Sequence, residues 1–165
     1  MTTVRLTVAL TSTQTNVYAM AGTTGSPMSF PPAYQCAAPF GADIGGASPA
    51  FFPIANNAAL GYAEFDSWLT IGVTDGSAVG AISASPGFDI ATLWTETAGI
   101  EQTNAAIFYM DPATMGANSG AAPIVMAQMT VSAAVATAGG SATALLQGRS
   151  TGGADDWTYS ATWTW

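Results

Sequence analysis

Histidine and lysine are absent from this 165-residue chain, and Cys36 is its only cysteine. Without histidine there is no Ser-His-Asp triad, no imidazole base and no imidazole metal ligand. Without lysine there is no Schiff-base amine and no phosphate-binding P-loop lysine. A single cysteine excludes an internal disulfide and a cysteine-built zinc site. Positive charge is nearly missing: two arginines stand against ten acidic residues, a net charge of −8. Nucleic acid is held by Lys and Arg on phosphates, and anionic membranes by basic clusters, so neither is an expected partner. Long hydrophobic runs are missing as well. Pro123–Leu146 is apolar on average, but Gln128, Gly139-Gly140 and several Thr and Ser interrupt it. It reads as two strands joined by an Ala-Gly-Gly-Ser turn, not as a membrane span. Residues 1–20 hold no apolar stretch behind a basic start, so no signal peptide is read.

What remains is dominated by small side chains. Ala, Thr, Gly and Ser number 33, 22, 18 and 13, just over half of the chain. Five Trp, five Tyr, seven Phe and seven Met supply the bulk for a core. The length fits one domain over residues 1–165, large enough to bury about two-thirds of its surface.

The apolar period is mostly two. Val4, Leu6, Val8 and Leu10 alternate with Arg5, Thr7, Ala9 and Thr11. Phe65, Leu69, Ile71 and Val73 share a face, and so do Val125, Ala127, Met129 and Val131. At the end, Trp157, Tyr159, Ala161, Trp163 and Trp165 face one way, and Thr158, Ser160, Thr162 and Thr164 the other. Each pattern describes a strand with one buried and one wet face. Weaker strands are read over Val17–Ala21, Ala78–Ala84, Ala105–Met110 and Ala142–Gln147. Turn residues at 74–76, 110–112 and 151–156 separate them. Residues 89–98 read as a short helical turn. Residues 22–61 form a long Pro/Gly/Ala-rich segment whose aromatics (Phe30, Tyr34, Phe40, Phe51 and Phe52) suit packing over the rest. The expectation is an all-β fold: a single β-sandwich, jelly-roll-like, of about eight strands.

Several runs carry a resemblance. These are Thr15-Asn-Val-Tyr-Ala-Met-Ala-Gly22, Phe30-Pro-Pro-Ala-Tyr-Gln35, the stretch from Asn56 to Gly72, and Leu146-Gln-Gly-Arg-Ser-Thr-Gly-Gly-Ala-Asp-Asp-Trp157. Across most of its length the chain resembles uncharacterised domains, often in large predicted extracellular proteins, of marine unicellular algae and plankton. The resemblance implies a secreted or surface-exposed module and brings no catalytic residues.

Four groups of residues are candidates for chemistry. Asp155 and Asp156 lie in a Gly-rich loop, where calcium often finds oxygen ligands. The alternative is a solvated turn whose aspartates cap the backbone or pair with Arg149. Glu64 and Asp66, two apart on the expected strand, share a face with Trp68. That face would contact a ligand, with Trp68 as the best single residue. A glycosidase-type carboxylate pair drawn from Glu64, Asp66, Glu96 and Glu101 is less favoured than solvent-facing carboxylates, since Glu64 and Asp66 would sit on one surface. The aromatic stripe of the last strand is either core or a sugar-stacking platform, with core preferred. Cys36, in an apolar loop, reads as a buried free thiol, with an intermolecular disulfide as the alternative.

The function these residues support is a non-enzymatic extracellular or surface module, structural or adhesive. Its expected partners are other protein chains or surface glycans. The alternative is a carbohydrate-binding module with a structural calcium site.

Overall fold

The computed structural model of the protein describes residues 1–77, 81–111, 116–118, 123–152 and 155–165. The strands, in chain order, are β1 (Thr2–Val8), β2 (Asn16–Val17), β3 (Ala19–Gly22), β4 (Met28–Phe30), β5 (Asn56–Asn57), β6 (Gly61–Tyr62) and β7 (Trp68–Leu69). They continue with β8 (Ile82–Ala84), β9 (Ile100–Gln102), β10 (Ala105–Tyr109), β11 (Ala117–Asn118), β12 (Ile124–Val131), β13 (Ser141–Arg149) and β14 (Asp156–Thr164). Three short helices, α1 (Phe52–Ala55), α2 (Ile90–Leu93) and α3 (Ala133–Ala138), lie between them. The protein is all-β, built of several sheets that do not close into a barrel.

The smaller of the two main sheets has the order β1-β12-β7. Its register follows the apolar alternation: Val4 lies opposite Met129, Leu6 opposite Ala127 and Val8 opposite Ile124. The register slips between Leu6 and Thr7, where Met126 is the extra residue, and this keeps Ile124 on the face of Ala127. The larger sheet has the order β8-β10-β3-β13-β4-β9, with β14 on β13. β3 and β4 both lie along β13, with Met20 opposite Leu146 and Ser29 opposite Thr143. β10 and β9 lie in turn along β3 and β4. The sheet is therefore a set of antiparallel rows: β8, then β10 with β9, then β3 with β4, then β13, then β14. Its outer rows differ in length, three residues in β8 and nine in β14.

Both sheets feed one apolar cluster. Leu6, Leu69, Met129 and Val131 come from the smaller sheet, and Met20, Phe30, Ile107 and Leu146 from the larger. Full burial of such side chains stabilises by about 1.5–3 kcal/mol each. β12 is buried along both faces. One face enters this core; on the other, Gln128 and Thr130 are covered by the segment around residues 34–67. The Tyr34 N–H donates to the Thr130 carbonyl, and the Gln128 amide nitrogen donates to the carbonyls of Glu64 and Asp66. The segment has its own small core of Cys36, Ala47, Ala55 and Ala63, packed by Tyr34, Phe40 and Phe52.

The chain departs from its apparent periodicity in two places. Ala63–Phe65 forms a 3-10 turn, and of the strand expected through Phe65, Leu69, Ile71 and Val73 only Trp68–Leu69 is β7. The Ala-Gly-Gly-Ser turn expected after β12 is preceded by α3, which Ser132 caps by accepting from the Val135 N–H. Alanine has the highest helix propensity, so an Ala-rich run behind a serine cap winds up. The strand expected over Ala78–Ala84 is described only from residue 81, and forms at Ile82–Ala84.

Candidate functional site

The wet face expected to carry Glu64, Asp66 and Trp68 does not form. The 3-10 turn rotates Glu64 away from its neighbours, and the covering segment buries the other two. Trp68 is 2% exposed and Asp66 is fully buried. The Arg5 guanidinium carbon lies 5.8 Å from the centre of the Trp68 ring. Glu64 is exposed, and its Oε2 accepts from the Asn56 side-chain amide at 2.9 Å. Asp66 instead ties the long segment together. Its Oδ1 accepts from the N–H groups of Cys36 (2.7 Å) and Ser67 (2.9 Å), and its Oδ2 from the Ala42 N–H at 2.6 Å. Burial pushes its pKa up to about 7, and these three donors pull the other way. Cys36 is buried beside it, and desolvation first, then the Asp66 charge, raises its thiol pKa.

Asp155 and Asp156 part company. Arg149 lies directly across the hairpin from Asp156, not from Asp155. Its Nη1 donates to Asp156 Oδ1 at 2.9 Å, and the Tyr18 hydroxyl donates to Oδ2 at 2.7 Å. Burial, then the hydrogen bond to Asp156, raises the Tyr18 pKa to about 12. Both Asp156 oxygens are thus engaged by protein donors. The Asp155 side chain is exposed, and its carbonyl accepts from the Ser150 N–H. Among the described residues no three His, Cys, Asp or Glu side chains converge as metal ligands.

The aromatic face of β14 is neither full core nor open platform. Its residues lie opposite the inward residues of β13: Trp163 across from Ala142, Ala161 from Ala144, Tyr159 from Leu146 and Trp157 from Gly148. Trp157, Trp163 and Trp165 are half-buried against the main core, while Tyr159 is 58% exposed. Two indoles are locked by backbone acceptors. Trp157 Nε1 donates to the Arg149 carbonyl at 3.0 Å and Trp163 Nε1 to the Thr7 carbonyl at 2.8 Å. The second bond joins β14 to β1. Between β14 and the chain leaving β1 runs a groove of about 430 Å³, lined by Trp157 and Trp163 from the strand and by Thr11 and Gln14 from the facing chain.

β14 also presents an open backbone edge. Gly140 and Trp165 exchange both backbone hydrogen bonds. In an antiparallel pair such residues alternate with ones whose N–H and C=O point outward. Counting back along the register, Trp157, Tyr159, Ala161 and Trp163 bond to β13. Thr158, Ser160, Thr162 and Thr164 therefore turn their backbone groups away from it. All four are exposed, and β13 is the only strand paired with β14 among the described residues. Sequence periodicity separated the two faces of this strand. It did not reveal the groove, whose second wall comes from residues roughly 150 positions away, nor which residues point outward.

Comparison with known protein families, curated proteins and solved structures gives no match.

Proposed function

We propose that the protein is a non-enzymatic structural or adhesive module, extracellular or on a cell surface, that associates with a second copy of itself by strand addition along β14. In this reading the two main sheets are the facing layers of a single β-sandwich spanning the chain. The resemblance to extracellular domains supports the location. The lack of histidine and lysine, with Asp66 buried and Glu64 and Asp156 engaged in side-chain hydrogen bonds, supports a binding role over catalysis. Trp68 and Asp66 drop out as ligand contacts because they are buried.

The observation that carries the proposal is the undefended edge of β14. Proteins commonly protect an edge strand with a charge, a proline, a bulge or brevity. From Trp157 to Trp165 there is no charge and no proline, the register to β13 is unbroken, and the strand is nine residues long. On a molecule of net charge −8, an uncharged edge is where a like-charged copy can approach. The edge is also self-complementary. A two-fold axis near Ala161 sets Thr158 against Thr164 and Ser160 against Thr162, each outward pair exchanging both backbone groups.

Sedimentation of the protein from about 5 µM to about 500 µM, alongside Ser160→Pro, tests this. The Ser160 N–H points away from β13, so proline removes an outward donor without breaking the existing ladder. Wild type is expected to associate with concentration, and Ser160→Pro to stay monomeric with an unchanged far-UV spectrum. A wild type that remains monomeric throughout, or a proline variant that associates equally, contradicts the proposal.

A further inference from the structure

We infer that the groove between β14 and the chain leaving β1 is a binding site for a neutral glycan. The two indoles that line it are held by hydrogen bonds from Nε1 to main-chain carbonyls. Their polar ends are satisfied within the protein, and little rotamer freedom is left to lose on binding. What they offer a ligand is an aromatic face, which suits the C–H face of a pyranose ring. Tyr159 rises beside them, and no described residue bonds its hydroxyl.

The rim supplies hydrogen-bonding groups of the neutral kind. Gln14 Oε1 accepts from the Thr11 N–H at 2.9 Å and from its hydroxyl at 3.1 Å. This fixes the carboxamide and leaves its NH2 for a ligand. Thr11 and Thr162 line it as well. None of the described lining residues is charged, although the chain has ten acidic residues. An anionic sugar would meet the net negative field with no cation to receive it, and a cationic ligand would find no carboxylate. The volume of about 430 Å³ lies low in the range of small-ligand clefts, about 300–1,000 Å³. A few sugar units of a longer chain fit that scale. A larger cup by Tyr34, Tyr62 and Phe65, of about 660 Å³, carries no comparable argument, because nothing in the structure shows what covers it.

The site shares β14 with the proposed assembly edge but uses side chains where the edge uses backbone. Tyr159→Ala keeps every backbone group of the strand, so it separates the two. The test is calorimetry and tryptophan fluorescence on dilute protein. The probes are cellotetraose, laminaritetraose, xylotetraose, mannotetraose and maltotetraose, with an alginate tetramer as the anionic control. At least one neutral tetrasaccharide is expected to bind saturably and shift the fluorescence. Tyr159→Ala is expected to weaken it about tenfold or more at an unchanged unfolding temperature, and Tyr159→Phe to retain most of it. Failure of all five neutral sugars, stronger binding of the alginate tetramer, or a Tyr159→Ala variant that binds as wild type overturns the inference.

Discussion

Asp66 concentrates most of what a single residue does here. Among the described residues it is the one fully buried carboxylate, and its three backbone donors come from Cys36, Ala42 and Ser67. Those donors fix the start and the end of the segment that covers β12. Asparagine in its place must turn an NH2 toward at least one N–H, leaving buried donors unsatisfied. Asp66→Asn is therefore expected to lower stability by about 1–3 kcal/mol, measurable by chemical denaturation. The same residue sets a pH dependence. Its folded pKa, about 7, lies above the ordinary aspartate value of about 4. Between those values the folded protein keeps a proton that the unfolded chain has released, so this contribution to stability falls as pH rises from about 4 to about 7. Unfolding temperatures measured across that window are expected to show the decline in wild type and a flatter profile in Asp66→Asn.

At the scale of elements, the β13-β14 hairpin depends on glycine opposite tryptophan. A Cβ at Gly148 would lie 1.8 Å from the Asn16 carbonyl oxygen and 2.5 Å from the Trp157 ring. The carbonyl belongs to a paired strand and cannot yield cheaply. Gly148→Ala is expected to destabilise by roughly 1–3 kcal/mol and to shift the Trp157 emission toward that of a solvated indole. Periodicity reveals β13 only weakly, since its second face is half-buried, and β14 well, because bulky and polar residues alternate along it. It reveals β1 for the same reason. It fails at residues 63–69 because β12, the partner there, has no wet face. Gln128 and Thr130 look solvated in the sequence and are each 3% exposed. Polar residues buried under a long segment mimic a surface, and the segment's own hydrogen bonds are long-range facts that spacing does not encode. The spacing predicts Glu64 and Asp66 as neighbours on one strand face, and a single 3-10 turn sends one to solvent and the other inside. Asp156 was legible as a charged residue near Arg149, but its second donor, Tyr18, comes from the far end of the chain.

At the scale of the molecule, charge and exposed backbone point to the same place. Ten acids and two arginines keep copies apart over most of the surface. The nine residues of β14 carry one charge, Asp156, and it is already paired with Arg149. The open edge thus sets little charge against an approaching chain, and the claim that it is the interaction surface can be read one amide at a time. Backbone hydrogen exchange across β14, followed by NMR in dilute and concentrated solution, tests it most directly. The inward amides of Trp157, Tyr159, Ala161 and Trp163 are expected to exchange slowly in both. Those of Thr158, Ser160, Thr162 and Thr164 are expected to exchange freely when dilute and to become protected when concentrated. If these four exchange freely at every concentration, the edge stays open and the account of β14 as an interaction surface is contradicted.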